Sequence, residues 1–146
     1  MKTNTVWKTN MNFVGECGEN QVSMDAKAPL GKAEGMTPKE LLVIGLSGCT
    51  AMDVIALMKK GKQEVKHFNV EAEVTKSTGG YPEVFTAIHL TFMAEGNINK
   101  DKIIEAVHLS QTKYCGVSAM LAKAVQIGYD VILNNENIAS GKADFQ

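Results

Sequence analysis

One segment constrains the fold more than any other: a long, mostly apolar stretch of helix-forming sequence that begins at Thr37. Thr37 is suited to cap a helix, Pro38 suits the first turn, and Glu40 completes a capping box. We expect the helix to reach position 59 or 60, with Gly61 as its stop. Its apolar positions cover nearly the whole circumference, and such a helix is buried on all sides. In so short a chain, we expect a partner subunit to cover one face.

The rest of the chain alternates between strand and helix patterns. The predicted elements are a hairpin within 3–25, strands at 68–74 and 84–92, a helix capped by Asn97 or Asn99, a helix after Cys115, and a strand at 129–133. The tail from Asn134 is polar, and we expect it to be loose. Grouped strands with separate helices predict an α+β fold in a single domain that spans residues 1–146.

Composition excludes several classes of function. The chain has 146 residues, 45% of them hydrophobic and 21% charged, which is typical of one globular domain. A net charge of −1 argues against binding to nucleic acid. The N-terminus has no apolar signal core, and no apolar run approaches the ~20 residues of a membrane span. We therefore expect a cytoplasmic protein that does not enter a membrane.

Two of the three cysteines lie in helix-like sequence, which suggests thiol chemistry. Cys49 lies in the middle of the long helix, and Cys115 lies close to the start of a later helix, whose amides would favour a thiolate and make it the more acidic sulfur. In a reducing cytoplasm, paired cysteines are more often catalytic, redox-active or metal-binding than structural. The alternative is that each is a small buried hydrophobe. Cys17, in a glycine-rich turn, is expected to be incidental.

Other residues near these cysteines have mainly structural interpretations. Asp53 lies one helical turn after Cys49, and we expect a lysine or backbone partner for its carboxylate, with orientation of the thiol as the alternative. Gly45 and Gly48 weaken a helix, which suggests close approach by another element or by a ligand. Cysteine and histidine spacing does not match a zinc site, and no phosphate-binding loop is present. We predict no metal and no cofactor.

The two cysteine segments together resemble the OsmC/Ohr family of small hydroperoxide-reducing proteins. The matching residues are Pro38-x-Glu40-Leu41-Leu42, Gly48-Cys49-Thr50-Ala51-Met52-Asp53 and Lys113-Tyr114-Cys115-x-Val117-Ser118. The residues that follow the long helix, from Lys59 to Gln63, resemble a branch of YhfA-like proteins.

This resemblance implies both a fold and a reaction. The fold would have antiparallel sheets around a long buried central helix, in an intertwined homodimer with active sites at the interface. Cys49 would attack an organic hydroperoxide and become a sulfenic acid, which Cys115 would convert to a disulfide. A dithiol reductant would restore both thiols. Glu40 would be the third catalytic residue of this site.

Two departures from the family pattern keep other functions open. The peroxidases of the family use an arginine, together with a glutamate directly after the proline, to hold the reactive thiolate. This chain has no arginine, and Lys39 occupies the position after the proline, with Glu40 one residue later. The alternative is a binding module, without turnover, in which the two cysteines line an interfacial pocket. A weaker third possibility is thiol–disulfide exchange, which no Cys-x-x-Cys motif supports.

Overall fold

A computed structural model describes residues 1–145. They form seven β-strands and three α-helices, which confirms the predicted α+β class. The chain divides into two compact units, Met1–Ile44 and a second that begins at Gly45, so the boundary falls within the long helix. We describe each unit by itself. The single domain over 1–146 stays a prediction.

The first unit contains a three-stranded antiparallel sheet in the order β1-β2-β3. The strands are β1 (Asn4–Thr9), β2 (Asn12–Cys17) and β3 (Asn20–Met24). The sequence predicts a hairpin here, and the structure adds a second turn because Asn10 adopts a φ of 47°. Asparagine tolerates this left-handed conformation better than most residues, so the chain can reverse between β1 and β2.

The loop that follows β3 is organised by one buried carboxylate. Asp25 accepts hydrogen bonds from the backbone N–H groups of Ala26, Lys32 and Glu34, at 2.8, 3.1 and 3.1 Å. These bonds, led by the one from Glu34, hold the pKa of Asp25 below its usual value. The loop therefore has defined geometry although it contains no helix or strand.

The long helix, α1 (Pro38–Lys60), begins and ends where the sequence predicts. At its end, Gly61 donates to the carbonyl of Leu57, and Gln63 donates to that of Met58. The residue in the left-handed conformation is Lys62, with a φ of 54°, rather than the glycine before it. Gly61 thus follows the last helical turn, as predicted, but the reversal itself is made by lysine.

Within the second unit, α1 buries one stripe and not its whole circumference. Its buried residues, Leu46, Thr50, Val54 and Met58, are spaced four apart. Met52, on another face, is 76% exposed. Within the single chain the second unit thus covers only one face, and the cover of another face by a partner subunit stays a prediction.

By length and composition alone, α1 could also cross a membrane, which contradicts the expectation that no segment is long and apolar enough. Core helices of soluble proteins pass the same test. The apolar residues of the buried stripe belong to the hydrophobic core of the second unit. This packing is the behaviour of a core helix.

The second unit is built on a four-stranded sheet in the order β4-β5-β6-β7. Its strands are β4 (Glu64–Lys76), β5 (Phe85–Asn97), β6 (Gln126–Leu133) and β7 (Glu136–Lys142). The pairs β4–β5 and β6–β7 are antiparallel, whereas β5 and β6 are parallel. The sheet is therefore mixed, because the helices that follow β5 carry the chain back to the other end of the sheet, so that β6 runs parallel to β5.

Alternation along β5 and β6 places the core on one face of this sheet. Leu90 and Phe92 of β5 and Val131 of β6 are fully buried, and the ring of Tyr129 packs edge-on against Phe92 at 6.1 Å between centroids. The intervening residues point to the opposite face, where His89 is exposed. The core thus lies between this face and the buried stripe of α1.

The strand β7 corrects the prediction of a loose tail. Asn134 and Asn135 both have positive φ, at 49° and 68°, and they turn the chain back so that β7 pairs with β6. Two consecutive left-handed residues are the mark of a two-residue hairpin turn. The polar composition of β7 is that of an edge strand with one face in solvent.

A crossover of three helical segments joins β5 to β6. They are α2 (Lys100–Leu109), a π-helical turn (Ser110–Tyr114) and α3 (Gly116–Leu121). The side chain of Asn99, one of the two predicted caps, accepts a 3.1 Å bond from the N–H of Lys102. The predicted second helix therefore begins as expected, but a wider π turn separates it from α3.

Candidate functional site

Cys49 and Cys115 meet within the second unit. Cys49 lies on α1 and is partly exposed, whereas Cys115 lies between the π turn and α3 and is fully buried. Both thiols are free, and Cys49 lies near enough to Cys115 to raise the pKa of its thiol. The structure therefore brings together the two sulfurs that the sequence singles out.

Cys115 serves as the N-cap of α3. Its Sγ accepts a 3.3 Å hydrogen bond from the backbone N–H of Ser118, and its own N–H donates to the carbonyl of Ser110 at 3.0 Å. The hydroxyl of Ser118 is fully buried and has no hydrogen-bond partner of good geometry among the described residues. It lies near enough to Cys115 to favour a negative charge on that sulfur.

Burial nevertheless dominates the acidity of Cys115. Desolvation raises the pKa of its thiol, the nearby hydroxyl and the backbone N–H of Ser118 oppose that effect, and the neighbouring Cys49 raises the pKa further. The expectation that the start of the helix favours a thiolate at Cys115 is therefore contradicted by the raised pKa of its thiol. The helix does begin at Gly116, but a short helix cannot offset the loss of water around a buried thiolate.

A chain of polar side chains connects the segments that carry the two cysteines. Thr50 and Ser110 are fully buried, and their hydroxyl oxygens lie 2.7 Å apart. Ser110 donates to the carboxylate of Asp53 at 3.0 Å, and the amide of Gln111 donates to Thr50 at 2.8 Å. Asp53 was expected to have a lysine or backbone partner, and its partner is instead a serine hydroxyl from the π turn.

Glu40, the third predicted catalytic residue, lies in the first unit at the start of α1. Its carboxylate accepts a 2.8 Å bond from the N–H of Thr37, whose hydroxyl in turn accepts a 3.3 Å bond from the N–H of Glu40. Lys27 pairs with the same carboxylate at 2.6 Å. The Lys27 ammonium, followed by the bonds from Thr37, lowers the pKa of Glu40 to about 2. The capping box is confirmed, and the catalytic role of Glu40 stays a prediction.

The two helix glycines leave space and do not pack closely. A side chain added at Gly45 or Gly48 would meet no atom within 4 Å among the described residues. The expected close approach by another element therefore does not occur among residues 1–145. Space on α1 beside Cys49 is open to an atom from outside the chain.

The remaining candidate residues lie elsewhere. Cys17 is exposed at the end of β2. His89 pairs with Asp130 at 2.9 Å beside a cavity of about 710 Å³ on the β4–β7 sheet, which neither Cys49 nor Cys115 lines. Within residues 1–145, no group of three or more histidine, cysteine or acidic side chains is arranged to hold a metal.

Known proteins share the part of the chain that carries both cysteines. The family model described as OsmC-like protein matches residues 31–130, which include both cysteines. This chain belongs to the OsmC-like family. The protein YhfA of Escherichia coli K12 is 34% identical over 140 residues, which cover 90% of this chain and 98% of YhfA.

Solved structures of this family share the fold. An OsmC-like protein from Mycoplasma pneumoniae has a TM-score of 0.79 at 16% identity, over 90% of this chain and 95% of that one. An organic hydroperoxide resistance protein OsmC from Legionella pneumophila has a TM-score of 0.65 at 14% identity, with the same coverage. The α+β fold of OsmC type, inferred from two short cysteine motifs, is thus confirmed.

The polar chain that ends at Asp53 is not predicted from the sequence. Thr50 lies within the motif around Cys49, but Ser110 and Gln111 lie outside both motifs. The signal that could have found them is a mid-helix aspartate in an apolar segment, which requires buried donors from some other element. The sequence does not show which element supplies them, since that depends on how the chain returns from β5 to β6.

Proposed function

We propose that this protein is a thiol-dependent peroxidase that reduces organic hydroperoxides in defence against oxidative stress. The observation that carries the proposal is the meeting of a partly exposed thiol, Cys49, with a buried one, Cys115, inside one unit. A peroxide can approach the first sulfur, and the second is in place to form a disulfide with it.

In the first step, the thiolate of Cys49 attacks the terminal oxygen of the hydroperoxide. The O–O bond breaks, the alkoxide leaves as an alcohol after taking a proton, and Cys49 becomes a sulfenic acid. The raised pKa of Cys115 keeps that neighbour neutral, so it can donate to the Cys49 thiolate without repelling it.

In the second step, the sulfur of Cys115 attacks that of Cys49. The S–S bond forms, the S–O bond breaks, and the hydroxide leaves as water with the proton of Cys115. A dithiol reductant then exchanges with the Cys49–Cys115 disulfide, restores both thiols and is itself oxidised to a disulfide. In sum, one hydroperoxide and one dithiol become an alcohol, water and a disulfide.

Exposed apolar side chains on the cysteine-bearing segments support an apolar substrate and a homodimer. Met52 on α1, Tyr114 on the π turn and Met120 on α3 are 76%, 48% and 66% exposed. Large apolar surfaces on a soluble protein mark sites of association or ligand binding. We propose that a second copy of the chain covers part of this surface, and that the pocket between the copies admits organic hydroperoxides. A cytoplasmic location, where dithiol reductants occur, fits a family of soluble proteins.

The test is rapid mixing of the reduced protein with cumene hydroperoxide, followed by thiol counting. The expected result is loss of two thiols per chain, abolished by Cys49→Ser and limited to one by Cys115→Ser. Cys17→Ser is the matched control, because it removes an exposed thiol outside this pair, and it should behave as the parent protein. Oxidation of Cys49 no faster than that of Cys17 would contradict a peroxidase.

The second candidate is a binding module without turnover. The raised pKa of Cys115 favours it, since a thiol that stays protonated is a poor nucleophile, and this would slow the disulfide-forming step that turnover needs. In that case the open space beside Gly45 and Gly48 would hold an apolar or thiol-bearing ligand. Slow oxidation in the rapid-mixing experiment, together with ligand affinity that survives Cys49→Ser, would favour this function over the peroxidase.

A further inference from the structure

The polar chain between α1 and the π turn has a fixed direction. A carboxylate only accepts and an amide nitrogen only donates, so its two ends are set by Asp53 and by the Nε2 of Gln111. Ser110 donates its single hydroxyl proton to Asp53. Thr50 must therefore be the donor in the bond between the two hydroxyls. Thr50 in turn accepts from Gln111. The three hydrogen bonds therefore all donate in the same direction, from Gln111 to Thr50, from Thr50 to Ser110 and from Ser110 to Asp53.

This series of hydrogen bonds fixes the position of α1 relative to the π turn. Apolar side chains could slide past one another with little change in contact area, whereas hydrogen bonds weaken steeply as distance and angle change. Thr50 and Ser110 have no exposed surface, so water cannot substitute for a bond between them that is broken. A shift of α1 along the π turn would therefore leave buried hydroxyl groups without partners.

Both cysteines lie directly beside the hydrogen bond between Thr50 and Ser110. Cys49 is the neighbour of Thr50 in the chain. Cys115 donates its backbone N–H to the carbonyl of Ser110 at 3.0 Å, across the π turn. The 2.7 Å bond between the two hydroxyls therefore joins the residue next to Cys49 to the residue that binds the backbone of Cys115.

We propose that Thr50, Ser110 and Asp53 are positioning residues that set the distance between the sulfurs of Cys49 and Cys115. The inference deepens the proposed function, because it assigns the disulfide-forming step to a geometry that these residues hold. None of the three takes part in the attack on peroxide, which needs only the partly exposed thiol of Cys49.

Disulfide formation depends strongly on this geometry. The bond requires Cα atoms within about 4.4–6.8 Å and side chains that point toward each other. A displacement of 1 Å at a reacting centre can slow a reaction by about 10²-fold. We therefore expect Thr50→Val, which keeps the shape and removes the hydroxyl, to slow disulfide formation by about 10- to 100-fold. Thr50→Ser keeps the hydroxyl and should restore the rate.

The experiment measures two steps and one equilibrium, in a Cys17→Ser background. A single equivalent of cumene hydroperoxide gives the rate of sulfenic acid formation and the rate of its conversion to the disulfide. Equilibration with oxidised and reduced glutathione gives the effective concentration of Cys115 relative to Cys49, without any peroxide. Val54→Ala is the matched control, because it weakens the same buried stripe of α1 without touching the polar chain.

The proposal expects Thr50→Val to lower both the disulfide rate and the effective concentration, while sulfenic acid forms at the parent rate. Thr50→Ser and Val54→Ala should leave both quantities near those of the parent. If Thr50→Val fails to fold, Asp53→Ala at the partly exposed end of the chain tests the same point.

Two results would overturn the proposal. One is that Thr50→Val and Thr50→Ser have equal effective concentrations. The other is that Val54→Ala loses as much effective concentration as Thr50→Val, which would show that general destabilisation is the cause. A protein that does not react with peroxide, yet loses effective concentration on Thr50→Val, would refute the peroxidase and keep the positioning role.

Discussion

The strongest test of the paired cysteines is the stability of the oxidised chain. Cys49 and Cys115 are 66 positions apart, so a disulfide between them closes a long loop in the unfolded chain. The chain-entropy relation gives about 4 kcal/mol of stabilisation for a loop of this length, provided that the bond forms without strain. For a chain of this size, that is an increase in Tm of roughly 10 °C.

The assay compares urea unfolding of the reduced and oxidised protein at one protein concentration, in a Cys17→Ser background that prevents bonds between chains. Oxidation with diamide makes the result independent of peroxidase activity. We expect a higher midpoint and a smaller m-value after oxidation, because a cross-linked unfolded chain is more compact and exposes less surface.

Cys115→Ser, treated with the same oxidant, is the control and should show no change between its two samples. The reasoning would be refuted if the oxidised protein were no more stable than the reduced one. That result would mean that the bond distorts α1 or the π turn enough to offset the loss of chain entropy, and that the sulfurs are not poised to join.

Four further predictions test the fold and the electrostatics. Phe92→Ala should lower the free energy of unfolding by about 3–5 kcal/mol in urea, because a fully buried ring leaves a cavity in the core. Thr37→Ala should cost about 1 kcal/mol by the same measurement, since it removes the cap of α1. The folded pKa of Glu40 is about 2, below its ordinary 4.5, so its contribution to stability is present above pH 4.5 and is lost as the pH falls toward 2; Glu40→Gln should abolish that part of the pH dependence of unfolding. Cys115, whose pKa is raised by burial, should react with iodoacetamide at pH 8 far more slowly than exposed Cys17, as peptide mapping would show.

The sequence predicted those elements whose signals are local. Thr37, Pro38 and Glu40 identify the start of α1, because a capping box requires only residues within one turn. The cap at Asn99 could be predicted for the same reason, because it also depends only on residues within one turn. The edge strand β7 was missed although Asn134 and Asn135 carry a turn signal, since its polar side chains show little hydrophobic alternation.

The site was predicted only in part, because its remaining features depend on contacts between distant segments. Motif resemblance identified Cys49 and Cys115, which the fold brings together. The partner of Asp53 is 57 residues away, at Ser110, and no local pattern points to it. The acidity of Cys115 also depends on burial by other segments, which outweighs the effect of the helix that begins beside it.

The π turn gives this site some tolerance in the length of the chain. It contains one residue more than an α-helical path would need between its two hydrogen-bonded ends, Ser110 and Cys115. Deletion of a single residue between them would let the N–H of Cys115 bond the same carbonyl from four residues away, as in a regular helix, and four residues of an α-helix complete about one turn. Cys115 would therefore keep nearly the same direction, and among related chains a one-residue gap at this point is compatible with a second cysteine that still faces the first.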